Sequence, residues 1–413
     1  MKAVIKPSKI SGTISAPASK SYTHRAIIIA SLADGISIIK SPLISDDTKA
    51  TIEACQKLGA KITSGKGFLT ITGIHGHFPK RKSTINISCG MSGTTMRLMT
   101  AVATLAQSKV VIDGEKRLRE RPMKDLLLAL NKLDIEVESV NKDFSLPIIV
   151  KGGNLKGGEI KLSGIISSQF ISALLLISPF AKKDTTIVVD DLISKPYVDI
   201  TIDMMKTFGV KVEKKGNIFK IKAGQKYIAR KYIVEGDYSS ASYFFAAAAI
   251  THSKITVENL NPDSMQGDKY FLEILKIIKN NSTGKINLDL GNYPDIAPTV
   301  AVISSTRKGR TVIENIKNLR TKESDRIKSI EEGLQNMHIK TSSTADSLTI
   351  TGGTLTGAEI ETFNDHRIAM SFAIAGLVAN GETVINHAEV VNKSYPDFWK
   401  DFKQIGANIK ISN

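Results

Sequence analysis

The sequence predicts an α/β protein built from six repeats, three to a domain, with sheets wrapped around buried helices. Three observations predict it. A helix-ending pattern recurs along the chain, a second class of helix lacks any polar face, and a short β-branched strand follows each of those helices.

The recurring pattern is an apolar residue, a turn residue, an apolar residue, a charge and another apolar residue. It reads Leu58-Gly59-Ala60-Lys61-Ile62, then Leu133-Asp134-Ile135-Glu136-Val137, then Phe208-Gly209-Val210-Lys211-Val212, at even spacing. Later copies are Met337-His338-Ile339-Lys340 and Ile405-Gly406-Ala407-Asn408-Ile409. Each follows an amphipathic stretch that predicts a helix, over 47–57, 123–132, 198–207, 325–336 and 397–404. A sixth stretch, 268–279, has no such ending and reads as truncated.

The second helices are predicted over 21–32, 94–106, 168–180, 240–250, 297–305 and 367–379. They are apolar nearly all round, as at 246–250, so they must be buried on all sides. Strands follow at 37–39, 110–112, 186–189, 254–257, 311–313 and 383–385. Three repeats precede Val234-Glu235-Gly236-Asp237 and three follow it. The expected domains are therefore 18–235 on one side, and 1–17 with 236–413 on the other.

Composition narrows the function classes. The 413 residues, 42% hydrophobic and 23% charged, suit a soluble globular protein. A net charge of +16 favours anionic partners, either polyanions or small multiply charged molecules. Cys55 and Cys89 are too few for a disulfide framework or a thiolate metal cage. No apolar run approaches the roughly 18 residues of a membrane span, and the N-terminus has no signal-peptide core. A reducing, cytoplasmic setting is expected. There is no Walker A loop, Gly-x-Gly-x-x-Gly or His-Glu-x-x-His motif, and His75 and His77 read as a surface turn.

Polar residues gather just ahead of the apolar helices. They include Ser19-Lys20-Ser21 with Arg25, Ser92-Gly93-Thr94 with Arg97, and Ser167-Ser168-Gln169. Hydroxyls, free N–H groups and cations at helix starts suit phosphates and carboxylates, although each could simply be an N-cap. Arg25 and Arg97 lie among apolar residues and should need anionic partners. Arg117-Leu118-Arg119-Glu120-Arg121-Pro122 reads alone as a solvated turn. Asp365 in Asn364-Asp365-His366-Arg367, and Asp295 before Ile296-Ala297, each fit a cap as well as catalysis. The densest stretch is Asn318-Leu319-Arg320-Thr321-Lys322-Glu323-Ser324-Asp325-Arg326. Thr321 is the expected N-cap there, with Lys322 and Arg326 on one helical face and Glu323 three residues before Arg326. It reads either as a capped helix with solvated charges or as an anion site with a proton-moving carboxylate.

Together these motifs, with Ser194-Lys195-Pro196-Tyr197 and Lys393-Ser394-Tyr395-Pro396-Asp397, resemble the 5-enolpyruvylshikimate-3-phosphate synthase family over essentially the whole chain. The resemblance implies a two-domain inside-out α/β barrel with the active site in the cleft between the domains. It implies transfer of the enolpyruvyl group of phosphoenolpyruvate to the 5-hydroxyl of shikimate 3-phosphate, releasing phosphate. Lys20, Ser21, Arg25, Ser167, Ser168, Gln169, Ser194, Tyr197, Asp295, Asn318 and Lys322 would bind shikimate 3-phosphate. Lys20, Gly93, Thr94, Arg121, Gln169, Arg326, Arg367 and Lys393 would bind phosphoenolpyruvate. Asp295, Glu323 and Lys20 would be catalytic, Asp295 taking the hydroxyl proton and Glu323 protonating the methylene carbon. No metal, cofactor, nucleic acid or membrane is implied, and the chain is expected to be a monomer. Three positions depart from the family pattern: Met91 replaces Asn, Leu98 replaces Pro, and Leu319 replaces Trp.

Two rivals remain at this stage. The sister transferase acting on UDP-N-acetylglucosamine uses a loop cysteine, which 117–122 lacks. A basic nucleic-acid-binding repeat protein would fit the +16 charge but leaves Glu323 and Asp295 without a role.

Overall fold

The turn residues of the recurring pattern stop the outer helices by a shared geometry. In the computed structural model, which describes residues 1–412, Gly59, Asp134, Gly209, His338 and Gly406 all have positive φ. The residue after each donates its N–H five positions back. Ala60 bonds Cys55, Ile135 bonds Leu130, Val210 bonds Met205, Ile339 bonds Leu334 and Ala407 bonds Phe402. This is the Schellman closure: a left-handed residue turns the chain, and the next apolar residue folds back on the helix. It ends Asp46–Leu58, Lys124–Lys132, Lys195–Thr207, Arg326–Asn336 and Phe398–Gln404.

Each complete repeat is a strand, a buried helix, a parallel strand, an outer helix and an antiparallel hairpin. Ile85–Ser88, Lys109–Asp113, Ile148–Lys151 and Glu136–Ser139 form one such sheet in that spatial order. Gly158–Ser163 and Thr283–Asp289 lead two more of the same order. Two sheets borrow a strand from far along the chain. Lys231–Ile233 takes the first place beside Ile36–Lys40, and Lys2–Lys6 takes the third, between Thr383–Ile385 and Asn408–Ser412. The sixth sheet has only Gly12–Ser15 and Ile255–Glu258, in parallel. After helix Phe271–Asn280 the chain enters Thr283–Asp289 directly, so this repeat has no hairpin. That explains the missing ending at 268–279.

The chain divides into two compact units, Ala18–Glu235, and Met1–Pro17 with Gly236–Asn413. The first has its own core around helices Lys20–Leu32, Gly93–Val102 and Ser168–Ile177. The second has its core around Tyr238–Ile250, Ala297–Ser305 and His366–Gly376. One expectation of full burial fails: Ala249 is exposed, with Ala248 and Ile250 half-buried.

In five repeats the segment after the hairpin covers the end of the buried helix. His75 donates to Ala33, Gly153 to Thr104, Gly224 to Pro179, Gly353 to Ser305 and Ser8 to Leu377. The approach is close enough to need glycine in three of them. A Cβ would lie 2.1 Å from the Ala33 carbonyl oxygen at Gly73, 2.2 Å from that of Thr104 at Gly152, and 1.9 Å from that of Arg307 at Gly352. The adjoining Gly353 meets nothing nearer than 3.6 Å. Gly352→Ala should therefore cost about 1–3 kcal/mol, the range of overpacking a fixed site, while Gly353→Ala should be close to neutral. Urea unfolding of the two variants checks this, and equal midpoints would show that the strap moves freely.

Candidate active site

In the second unit the site forms around Arg326, which is 1% exposed. Its Nε donates to Asp365 Oδ2 at 2.7 Å, and its Nη2 to Glu323 Oε2 at 2.7 Å and Asp365 Oδ1 at 3.3 Å. Its Nη1 donates to Asp295 Oδ1 at 3.2 Å. Burial acts to lower the guanidinium pKa, but Asp365, Glu323 and Asp295 outweigh it and raise the value. Arg367 closes the cluster, with Nη2 donating to Asp295 Oδ2 at 2.7 Å and Nη1 to the Tyr243 hydroxyl at 3.4 Å. Asp295 thus bridges two guanidinium groups.

The local folding explains who holds whom. Asp365 caps His366–Gly376, accepting from the Arg367 N–H at 2.9 Å, so its carboxylate serves the helix and Arg326 together. Asp295 does not cap Ala297–Ser305; Ile296 takes that place, and the carboxylate turns to the arginines. The expected start of the following helix is also corrected. Helix Arg326–Asn336 is capped by Asp325, whose side chain accepts from the Lys328 N–H, while Thr321 ends a short 3₁₀ turn, Lys317–Thr321. Lys322 is extended (φ −83°, ψ −158°) and lies outside the helix, so it shares no helical face with Arg326. The Glu323–Arg326 pair is present although Glu323 lies before the helix, so helical spacing is not what forms it. Lys393 is buried at the end of Ala388–Lys393. The Asn318 Oδ1 is buried without a hydrogen-bond partner among the described residues.

In the first unit, Lys20 opens the first buried helix and pairs with Asp47 at 3.0 Å. Ser21 is half-buried beside it. Arg25 is 2% exposed, and the protein groups it donates to are all neutral. Nε donates to Thr201 Oγ1 at 2.7 Å, Nη1 to the Ser21 carbonyl at 2.9 Å, and Nη2 to the Tyr197 carbonyl at 3.0 Å. Burial pushes its pKa down to about 10, which still leaves it charged at neutral pH. Gln169 links two motifs, accepting from Arg97 Nη1 at 2.8 Å and donating to Thr94 Oγ1 at 3.0 Å. Arg97 is therefore also met by a neutral amide, and its guanidinium lies over the Phe170 ring. Ser167 caps Ser168–Ile177, and buried Ser194 precedes Lys195–Thr207 in a left-handed conformation.

The loop 117–122 is only partly the solvated turn expected. Arg117 pairs with Glu120 and Arg119 with Asp113 at the surface, but Arg121 is 6% exposed and packs against Gly93. A Cβ on Gly93 would lie 2.3 Å from Arg121 Nη1. Of the departures from the family pattern, Leu98 and Leu319 are wholly buried and Met91 is half-buried. Sequence reasoning missed Asp47 and Tyr243. Asp47 reads as one more acidic residue in a first helical turn, and Tyr243 as one more aromatic in an apolar helix.

Asp365→Ala should destabilise the protein by about 3–5 kcal/mol, the cost of removing one partner from a buried ion pair. Urea unfolding measures it. A loss within experimental error would show that Glu323 and Asp295 alone hold Arg326.

The family model for EPSP synthase (3-phosphoshikimate 1-carboxyvinyltransferase) matches residues 4–402. The chain is 45% identical to the 3-phosphoshikimate 1-carboxyvinyltransferase of Methanococcoides burtonii, with all of both chains covered. It is 42% identical to that of Methanocaldococcus jannaschii, with 99% of each covered. A solved EPSP synthase from Acinetobacter baumannii superposes with a TM-score of 0.85 at 27% identity over the whole of both chains. The chain belongs to the EPSP synthase family, the 3-phosphoshikimate 1-carboxyvinyltransferases.

Proposed function

We propose that Asp295 and Glu323 are the proton-transfer groups of the carboxyvinyl transfer that family membership assigns to this chain. That reaction belongs to the shikimate pathway of aromatic amino-acid biosynthesis. It adds the 5-hydroxyl of shikimate 3-phosphate across the double bond of phosphoenolpyruvate, and then eliminates phosphate. Addition requires a base for the hydroxyl proton and an acid for the methylene carbon. Elimination requires a base for that carbon and stabilisation of the leaving phosphate.

The observation that carries this reading is that Asp295 and Glu323 bind the same guanidinium, that of Arg326. Two carboxylates on one cation are close in space and electrostatically linked. An anion arriving at Arg326 and Arg367 competes with both carboxylates, and its negative charge favours their protonated forms. We assign phosphoenolpyruvate to Lys20, Gly93, Thr94, Arg121, Gln169, Arg326, Arg367 and Lys393. Ser21, Arg25, Ser167, Ser168, Gln169, Ser194, Tyr197, Asn318 and Lys322 are assigned to shikimate 3-phosphate. The unpartnered Asn318 Oδ1, an acceptor, suits a ligand hydroxyl, and the neutral surroundings of Arg25 suit a ligand anion.

Glu323→Gln should lower turnover by about 10²- to 10⁴-fold, the usual contribution of general acid catalysis. Binding of shikimate 3-phosphate should change little. Lys322→Met should weaken that binding as well. Calorimetry and steady-state phosphate release on both variants decide the matter, and near-normal turnover by Glu323→Gln would place the acid elsewhere.

Gly93→Ala tests the phosphoenolpyruvate assignment. The added methyl must displace the Arg121 guanidinium. KM for phosphoenolpyruvate should rise about tenfold, the worth of one charge-assisted contact, while KM for shikimate 3-phosphate should stay put. A parallel rise in both constants would remove Arg121 from this role.

A further inference from the structure

A groove opens in the second unit where the two-stranded repeat stops short. Five buried helices have their last turn covered by the segment that follows a hairpin. Helix Tyr238–Ile250 has no such cover, because Phe271–Asn280 runs almost directly into Thr283–Asp289. The cavity left there measures about 730 Å³, within the range of roughly 300–1,000 Å³ typical of small-molecule sites. It is bounded by the C-terminal ends of Tyr238–Ile250, Phe271–Asn280 and Ala297–Ser305.

The lining has two characters. Ala249, Leu275 and Ile278 give it an apolar floor, and Lys276, Lys279 and Lys308 give it a cationic rim. Among the described residues, no Asp or Glu lines it. Helix C-termini alone would favour a cation, and Arg307 already supplies one to the carbonyls that follow Phe271–Asn280. Its Nη2 donates to the carbonyls of Asn281, Thr283 and Gly284 at 2.7, 2.9 and 3.0 Å, and its Nε to Asn281 at 3.1 Å. Lys276 pairs with Glu273 at 2.9 Å, outside the lining. Lys279 and Lys308 are left to face the groove.

We propose that this groove binds a small amphiphilic organic anion. Its apolar body, an aromatic system or a short acyl chain, lies on Ala249, Leu275 and Ile278, and its acidic head reaches Lys279 and Lys308. A purely polar anion would leave the floor wet, and a neutral apolar ligand would make no use of the lysines. The site is separate from the reaction centre. Asp295 precedes the N-terminus of Ala297–Ser305, whereas the groove lies at that helix's C-terminus, about 13 Å away at 1.5 Å per residue.

The test is a fluorescence titration of the full chain with 8-anilinonaphthalene-1-sulfonate, using decanoate, decanol and inorganic phosphate as competitors. Saturable binding with one probe per chain is expected, and decanoate should displace it about tenfold better than decanol, the worth of one charge-assisted contact. Ala249→Trp, which fills the groove from an exposed position, should abolish the signal. Lys279→Glu with Lys308→Glu should weaken binding about tenfold or more. Both variants should keep parental kcat and melting temperature. If Ala249→Trp proves unstable, the surface double variant decides alone. Unchanged probe binding in that double variant, equal competition by decanol and decanoate, or displacement by phosphate at decanoate's concentration would each overturn the proposal.

Discussion

Arg326 is the residue on which the second unit's site depends. Its guanidinium is almost wholly buried and holds three carboxylates from three separate segments: Asp295 before one helix, Glu323 in a turn, and Asp365 at the start of another. Removing water from four charged groups is expensive, and only near-complete hydrogen bonding offsets it. That condition fixes the rotamers of all four side chains together. The two carboxylates assigned to proton transfer are therefore placed by the same contacts that keep the arginine tolerable inside the protein. Asp365 adds rigidity, because its carboxylate also caps the helix from which Arg367 projects.

The first unit solves the same problem differently. Arg25 is just as buried, but the partners it is seen to hold are hydroxyls and backbone carbonyls. These satisfy its donors without neutralising its charge, and burial pushes its pKa down accordingly. A cation held by neutral groups keeps a strong attraction for an anion, since little competing negative charge must be displaced. Arg326, by contrast, is already surrounded by carboxylates. The two arginines thus differ in their partners: neutral groups hold Arg25, and carboxylates hold Arg326.

Much of the fold was legible because the outer helices share one physical device. Residues at Gly59, Asp134, Gly209, His338 and Gly406 must turn left-handed, and an apolar residue must follow, so the sequence carries the geometry openly. Strand order was not legible. Lys231–Ile233 and Lys2–Lys6 fill places in sheets far from their neighbours in sequence, and no local pattern records that. The sequence marks the candidate site residues by type but does not mark their partners. Asp325 rather than Thr321 caps the helix because Glu323 and Ser324 are drawn to Arg326 and Asp365, a tertiary demand that helical spacing does not express. Likewise nothing local marks Asp47 as the partner of Lys20.

The placement of polar residues on the buried helices follows from the same physics. On helices closed in by sheets, charged and capping groups gather towards the N-terminal end, where the backbone needs partners, while the later Thr100, Ser172, Ser242 and Ser371 are small hydroxyls. At the N-terminal ends those needs are N–H donors and a positive dipole, which suit anions and the carboxylates that cap them. Lys20, Gly93, Ser168, Asp295, Asp365 and Arg367 all lie at or just before such starts. The C-terminal ends offer carbonyls, and five of the six are covered by the strap after a hairpin. That end of those five helices is consumed in closing the repeat. Where the repeat lacks its hairpin, that closure is missing, and Arg307 supplies donors to the carbonyls that follow Phe271–Asn280. An architecture that buries helices in this way therefore concentrates polar groups at the helix starts, and leaves carbonyls to be met from elsewhere where a repeat is incomplete.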